Sequence, residues 1–116
     1  MYYTYMLRCS DNSIYTGITN NLNKRMKEHF SKNKNGAKYT KSHNAIKVEK
    51  VWQSKEKSLA CKLEAYIKRL TKKEKEDLIL EGKLSKYLKG KIDCRRYRNT
   101  NIYDLIDKEY ISSKRE

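Results

Sequence analysis

Five polar residues of this 116-residue chain have types and spacings that could form a chemical site; they are Tyr5, Tyr15, Arg25, His29 and Glu64. Tyrosine and histidine side chains transfer protons, arginine binds anions, and glutamate transfers protons or binds metal ions. Taken alone, each has an ordinary explanation, such as packing of a strand tyrosine or an i, i+4 ion pair between Glu64 and Lys68. The elements that position these residues therefore decide whether they form one site.

Two predicted strands carry the tyrosines. Tyr2–Cys9 and Ile14–Thr19 are rich in β-branched and aromatic residues, and the turn-forming residues 10–13 between them predict a β-hairpin. Alternation along the first strand predicts one shared face for Tyr3, Tyr5, Leu7 and Cys9. Tyr15 shares a face of the second strand with Gly17, and a glycine in mid-strand indicates close approach of a ligand or another backbone.

A predicted helix, Leu22–Ser31, carries the arginine and the histidine. Asn20 or Asn21 can cap it. Its apolar stripe, at i, i+4 and i+8, consists of Leu22, Met26 and Phe30. Arg25 and His29, four residues apart, form a second stripe beside the apolar one, so both side chains leave the helix in the same direction.

Glu64 belongs to a longer helix that follows a third predicted strand. Residues 46–52 form that strand, and the helix begins at about Lys55. Its buried face consists of Leu59, Leu63, Ile67 and Leu70. Glu64 lies at the shoulder of this face. Thr71 and Glu74 match a capping box that opens a further helix, which stops at Gly82.

These elements predict an α+β fold with a small three-stranded antiparallel sheet flanked by helices and a C-terminal extension. Residues 1–82 form the predicted domain. Residues 83–116 are basic, aromatic and weakly periodic, with KGKIDCRRYR in the middle, and we expect a helical or partly ordered extension.

Charge and cysteine content restrict the partners. The net charge is +14, from 28 Lys and Arg against 14 Asp and Glu, which favours nucleic acid. An anionic membrane is the rival partner, but no clear basic amphipathic helix and no long apolar run is found in the sequence. Cys9, Cys61 and Cys94 lack the spacing of a zinc site or a disulfide framework. We therefore expect a reduced, cytoplasmic protein that does not bind membranes.

The order and spacing of Tyr5, Tyr15, Arg25 and His29, with Gly17 two residues after Tyr15, resemble a known superfamily. Tyr3-Thr4-Tyr5 stands where a Gly-Ile-Tyr motif would be, and Tyr15-Thr16-Gly17 stands for Tyr-Ile-Gly, followed at fixed spacing by Arg25 and His29. The pattern resembles the GIY-YIG nuclease superfamily. The segments YYTYMLRC, GAKYTK and LEAYIKRLTKKEKEDLI are similar to its small single-domain bacterial group, and together they span residues 2–79.

The resemblance implies a nuclease site with one divalent metal ion. Glu64 would be the ligand of Mg²⁺ or Mn²⁺, with water and phosphate oxygens completing the coordination. Arg25 would stabilise the non-bridging phosphate oxygens. Tyr5 and Tyr15 would orient the attacking water, one of them acting as general base, and His29 would hydrogen-bond a tyrosine or carry the proton. The sequence does not decide which tyrosine is the base.

The chain departs from the superfamily pattern in two places. The first motif lacks its glycine, since Tyr3 occupies that position. Many members also have an asparagine after the metal-binding glutamate, but none occurs here between Asn44 and Asn99. Neither Asn99 nor Asn101 can be assigned that role from the sequence.

The expected substrate is DNA, single-stranded or branched, with RNA not excluded. Candidate contacts to it are Lys38, Tyr39, Thr40, Lys41, Lys68 and Arg69. No base-reading motif is found, so we expect an endonuclease of low sequence specificity, with DNA repair as one setting. Two alternatives stay open: a non-catalytic nucleic-acid-binding module, and a catalytic subunit that needs a protein partner.

Overall fold

The structure is a computed structural model and describes residues 1–31 and 44–111. Its strands are β1 (Tyr2–Cys9), β2 (Ile14–Thr19), β3 (Ala45–Ser54) and β4 (Arg98–Asn99). Its α-helices are α1 (Leu22–Ser31), α2 (Lys57–Lys68), α3 (Lys72–Glu81), α4 (Ser85–Leu88) and α5 (Ile102–Leu105). Two 3₁₀ turns, Cys94–Arg96 and Lys108–Tyr110, complete the described elements. The predicted α+β class, with an antiparallel sheet flanked by helices, is confirmed.

The strands form one antiparallel sheet in the order β2-β1-β3-β4. In β1, Tyr5 lies opposite Gly17 of β2 and Val51 of β3. The sheet has four strands rather than the predicted three, because β4 pairs with Trp52 and Gln53 of β3. Two residues are too few to produce an alternating pattern, so β3, and not the local sequence, determines that this segment is a strand.

The two faces of the sheet bury separate cores, as the alternation in β1 predicts. On the α1 face, the buried residues include Tyr5, Leu7, Leu22, Met26, Val48 and Val51. On the α2 face, they include Met6, Trp52, Leu63, Ile67 and Leu78. Because successive residues of a strand point to opposite faces, Tyr5 and Met6 enter different cores.

Capping interactions between neighbouring residues define both ends of helix α3. The Thr71 hydroxyl accepts a hydrogen bond from the Glu74 amide at 3.1 Å, and the Glu74 carboxylate accepts one from the Thr71 amide at 2.9 Å. This is the predicted capping box at the start of α3. The helix ends at Gly82, whose φ of 72° is the left-handed conformation expected there. Helix α2 begins at Lys57, two residues later than predicted.

Residues after Gly82 pack onto both cores. Leu84, Leu88, Ile92 and Tyr97 are buried on the α2 face, and Ile106 and Ile111 on the α1 face. The described part of the extension is therefore ordered against the sheet. Among the described helices, none is long and apolar enough to cross a membrane.

Candidate active site

A hydrogen bond between Tyr5 and His29 lies at the centre of the candidate site. Tyr5 comes from β1 and His29 from the last turn of α1, and each is only 1% exposed. The Tyr5 hydroxyl and the His29 Nε2 are 2.7 Å apart. The hydrogen bond to a tyrosine that the resemblance implies for His29 is present.

Gly17 makes room for this hydrogen bond. It lies opposite Tyr5 in the sheet, and a Cβ added there would be 2.6 Å from the Tyr5 hydroxyl and 2.9 Å from the Tyr15 ring. Such distances are far below van der Waals contact. The close approach predicted at Gly17 is therefore made by a phenol side chain of β1, rather than by a ligand or another backbone.

Tyr15 completes a group of three rings. Its ring centroid lies 6.2 Å from that of Tyr5 and 5.3 Å from that of His29, and the Tyr5 and His29 centroids are 5.6 Å apart. Tyr15 is only partly buried, whereas the other two rings are enclosed. The two tyrosines thus project from adjacent strands towards one histidine.

Burial keeps the hydrogen-bonded pair neutral. It raises the pKa of Tyr5 well above the ordinary value, with a further contribution from Tyr15, although Arg25 acts in the opposite direction. Burial, followed by the positive charge of Arg25, lowers the pKa of His29 to about 4. With the proton of the neutral imidazole on Nδ1, the Tyr5 hydroxyl donates to the Nε2 lone pair; with the proton on Nε2, the ring donates to the Tyr5 oxygen.

Arg25 lies beside this group and is already paired. Its Nη1 is 2.7 Å from the Glu28 Oε1, and its side chain is 25% exposed. Burial would lower the pKa of Arg25, but hydrogen bonds to Glu28 and Tyr5 outweigh that effect and raise it. Sequence reasoning missed Glu28, although its i, i+3 spacing from Arg25 was a usable signal.

Glu64 reaches the same region from α2. The Thr4 hydroxyl of β1 donates to the Ala60 carbonyl at 3.1 Å and so fixes this helix against the sheet. The Glu64 side chain is 24% exposed and pairs with Lys68 at 3.3 Å. Its negative charge is close enough to be one of the smaller factors that raise the pKa of Tyr5.

A metal ion at this place would have one protein carboxylate. Within residues 1–31 and 44–111, no group of three or more His, Cys, Asp or Glu side chains could hold a metal. Mg²⁺ keeps several of its waters and is commonly bound through one or two carboxylates plus substrate phosphates. A partly exposed Glu64 beside the tyrosines fits that requirement.

The other predicted contact residues are dispersed. Lys68 is exposed and lies beside Glu64, whereas Arg69 stacks over the Tyr66 ring at 5.1 Å and lines a different pocket, which includes Tyr87. Asn99 lies on β4, at the sheet edge opposite β2, and packs against Gly82 rather than near Tyr5. The remaining predicted contacts lie outside the described residues; they are Lys38, Tyr39, Thr40 and Lys41.

Comparison with known sequences identifies the family. Residues 1–77 match the family described as the GIY-YIG catalytic domain. The chain therefore belongs to the GIY-YIG family, and this domain places it in the GIY-YIG nuclease superfamily.

Within that family, the relatives are UPF0213 proteins, a small bacterial group. The UPF0213 protein FN1575 of Fusobacterium nucleatum is 44% identical over 102 residues, which are 88% of this chain and 98% of the relative. The UPF0213 protein YazA of Bacillus subtilis is 40% identical over 73% of this chain and 84% of its own. The solution NMR structure of the UPF0213 protein BH0048 from Bacillus halodurans matches with a TM-score of 0.46 and 33% identity, over 78% of this chain and 97% of that chain.

Proposed function

We propose that this protein is a metal-dependent endonuclease that hydrolyses phosphodiester bonds of DNA with low sequence specificity. The observation that carries the proposal is the buried 2.7 Å hydrogen bond between Tyr5 and neutral His29, with Tyr15, Arg25 and Glu64 grouped around it. Titratable groups perturbed by burial and by specific charges mark functional sites. The GIY-YIG domain match makes hydrolysis of nucleic acid the chemistry to test.

We assign the proton path to Tyr5 and His29. A water that attacks phosphorus would give its proton to the Tyr5 oxygen while the Tyr5 proton moves to the His29 Nε2. This path needs no free phenolate before the reaction, so the raised pKa of Tyr5 does not prevent it. Tyr15 packs against both rings and would position the water from the more exposed side.

Charge at the phosphate would be balanced by Arg25 and Glu64 together with a divalent ion. Arg25 would donate to the non-bridging oxygens, for which a planar guanidinium is well suited, while Glu28 holds the side chain in place. Glu64 would hold Mg²⁺ or Mn²⁺, which supplies Lewis-acid stabilisation of the developing charge when bound.

The substrate would be a DNA strand with unpaired nucleotides, single or branched. Support comes from the net charge of +14 and from the lysine- and tyrosine-containing segment GAKYTK, which suits a phosphate backbone and a stacked base. No described element forms a base-reading helix-turn-helix or zinc finger, in keeping with low sequence specificity. A DNA repair setting, a cytoplasmic location and the division into a nuclease domain and an extension at Gly82 belong to the same proposal.

The test is cleavage of labelled single-stranded, branched and matched duplex oligonucleotides with Mg²⁺ or Mn²⁺. Wild type is compared with Glu64→Gln, Arg25→Ala and the control Glu81→Gln, which alters an exposed carboxylate of α3. We expect cleavage of the first two substrates to exceed that of the duplex and to stop with a chelator. Glu64→Gln and Arg25→Ala should each lose about 10²–10³-fold in rate, and Glu81→Gln should not.

Binding measurements separate the alternatives. Glu64→Gln should still bind DNA, since the removed charge is that of a metal ligand. Tight binding without cleavage of any substrate, by wild type with either metal, would instead establish a binding module or a missing protein partner. Wild-type rates in Glu64→Gln and Arg25→Ala would show that the site has been assigned wrongly.

A further inference from the structure

A second basic region lies at the sheet edge opposite β2. There the end of β3 meets residues 94–99 across a concave pocket of about 240 Å³. We call it the basic pocket, and its cationic wall residues are Lys55, Arg95, Arg96 and Arg98. None of them belongs to the Tyr5 site, and all three arginines lie beyond the 1–77 segment that matches the GIY-YIG domain.

The arginines belong to a part of the extension that is hydrogen-bonded to α2 and β3. Tyr97 is 8% exposed, and its hydroxyl donates to the Leu59 carbonyl of α2 at 2.6 Å. The Asp93 side chain accepts from the Arg95 amide at 3.2 Å and so begins the 3₁₀ turn. Arg98 then pairs with Gln53 of β3. The cations are therefore presented by backbone that is fixed at three points.

The positive charge of the basic pocket is only partly neutralised. Arg95 pairs with Asp93 at 3.0 Å, and Arg96 pairs with Glu56 at 3.4 Å. Both pairs are exposed and hence weak, so a phosphate can replace either carboxylate. Among the described residues, no carboxylate lies within ion-pair distance of Lys55 or Arg98. Four cations against two carboxylates leave a formal charge of +2.

A buried hydroxyl without a partner also lies in the same wall. Ser54 is 3% exposed, and its Oγ has no hydrogen-bond partner within the described part of the chain. Buried polar side chains are rarely left unpaired, and a serine hydroxyl can both donate and accept. The Oγ has almost no exposed surface as it stands, so the Ser54 side chain would have to rotate for the hydroxyl to donate to a phosphate oxygen in the pocket.

Strand pairing relates the basic pocket to the Tyr5 site. Arg98, Gln53 and Tyr3 are paired in one row across the sheet, and Tyr5 lies two residues further along β1. With spacings of about 4.8 Å between strands and about 3.3 Å per residue, the Cα atoms of Arg98 and Tyr5 are about 12 Å apart. A distance of this size is spanned by a short stretch of a single nucleic-acid strand, a few nucleotides long.

We propose that the basic pocket is a second phosphate-binding site, which holds the backbone of a nucleic-acid strand a few nucleotides from the phosphate at the Tyr5 site. The inference rests on the proposed function, because the Tyr5 site defines where that strand is cut. The extension would thus add to substrate affinity without taking part in the chemical step.

The test measures binding of a fluorescein-labelled 16-nucleotide DNA strand by anisotropy, on the full chain, without divalent metal and at several salt concentrations. Lys55→Ala/Arg98→Ala should weaken binding about tenfold and make the slope of log K against log salt less negative by about 1.4, because two phosphate contacts are lost. The control Lys89→Ala/Lys108→Ala removes two exposed charges elsewhere and should change affinity less than twofold.

Charge-preserving substitution excludes a folding effect. Lys55→Arg/Arg98→Lys should bind within about twofold of wild type, and both double variants should show the wild-type circular dichroism spectrum. Equal affinities for the pocket variant and its control would overturn the basic pocket while leaving the nuclease assignment intact. If the pocket variant loses binding and its control does not, but even the wild type does not cleave DNA, the basic pocket is supported and the proposed nuclease function is refuted. Preference for phosphatidylserine vesicles over DNA would overturn the assigned ligand.

Discussion

Strand β1 contributes to two polar clusters, one built from neutral groups and the other from charged groups. Around Tyr5, burial raises the pKa of the phenol and lowers that of His29, so both groups stay neutral. Around Arg8, the penultimate residue of the strand, the Nη atoms bind Glu76 at 2.6 Å and the Nε binds Glu49 at 2.9 Å. Hydrogen bonds from Arg8 hold the pKa of Glu76 at about 2, so these groups stay charged.

The contrast separates a site for chemistry from a structural ion-pair cluster. Arg8 connects β1 to β3 and α3. Its hydrogen-bond donors are already used by Glu49 and, in bidentate form, by Glu76, so Arg8 has little capacity left to bind a ligand. The Tyr5 cluster instead buries two groups that are neutral at neutral pH, and their pKa values respond to a change in charge nearby. A phosphate or a metal ion beside Arg25 and Glu64 would be such a change.

The largest expected effect comes from Gly17→Ala. The added methyl group would displace the Tyr5 phenol from His29, so we expect cleavage to fall about 10²-fold or more. The unfolding free energy should fall by about 1–3 kcal/mol. Gly90→Ala is the matched control: its φ of 83° makes alanine unfavourable by about 1 kcal/mol, but nothing lies within 4 Å of the new methyl. Unchanged cleavage in Gly17→Ala would disprove the need for this contact.

Arg8→Ala tests the other cluster through stability. The side chain is 12% exposed, and its removal leaves Glu49 and Glu76 without their main partner. Because Glu76 is 37% exposed, we expect a loss of about 2–3 kcal/mol, less than for a fully buried pair. Lys47→Ala, which removes only an exposed partner of Glu49 at 3.7 Å, should cost less than about 1 kcal/mol. Equal losses in urea denaturation would contradict the structural role.

We expect a smaller effect, on the pH dependence of the unfolding free energy, from His29. Its folded-state pKa of about 4 lies below the ordinary 6.5, so the unfolded chain binds the proton first as pH falls. The unfolding free energy should therefore decrease between pH 6.5 and 4, by about 2 kcal/mol at pH 4.5. His29→Gln does not titrate and should lack this part of the decrease. Parallel stability curves for the two proteins would refute the lowered pKa.

The sequence predicted most elements because their signals are local. Alternation in β1, the stripe of α1 and the capping box at Thr71 depend on residues that are near in the chain, and all three are present. The features that the sequence did not predict depend on residues that are far apart in the chain. Strand β4 exists because β3 offers an edge, and Arg8 is structural because Glu76, 68 residues later, reaches it.

The candidate site follows the same rule. Periodicity predicted the strands of the two tyrosines and the stripe of Arg25 and His29, and the resemblance to the superfamily grouped them with Glu64. Periodicity could not tell that Tyr5, rather than Tyr15, bonds His29, because that depends on the space above Gly17. The unpaired Ser54 hydroxyl and its arginine neighbours appear only once the extension is folded onto β3.

The most direct test compares metal-dependent cleavage by Tyr5→Phe and Arg8→Ala at a temperature where circular dichroism shows both folded. We predict that Tyr5→Phe, which loses only a hydroxyl, cleaves at least 10²-fold more slowly than wild type. Arg8→Ala should cleave within about twofold of wild type despite its lower stability. Wild-type cleavage by Tyr5→Phe, or an equal loss in Arg8→Ala, would contradict the division of β1 into a chemical and a structural cluster.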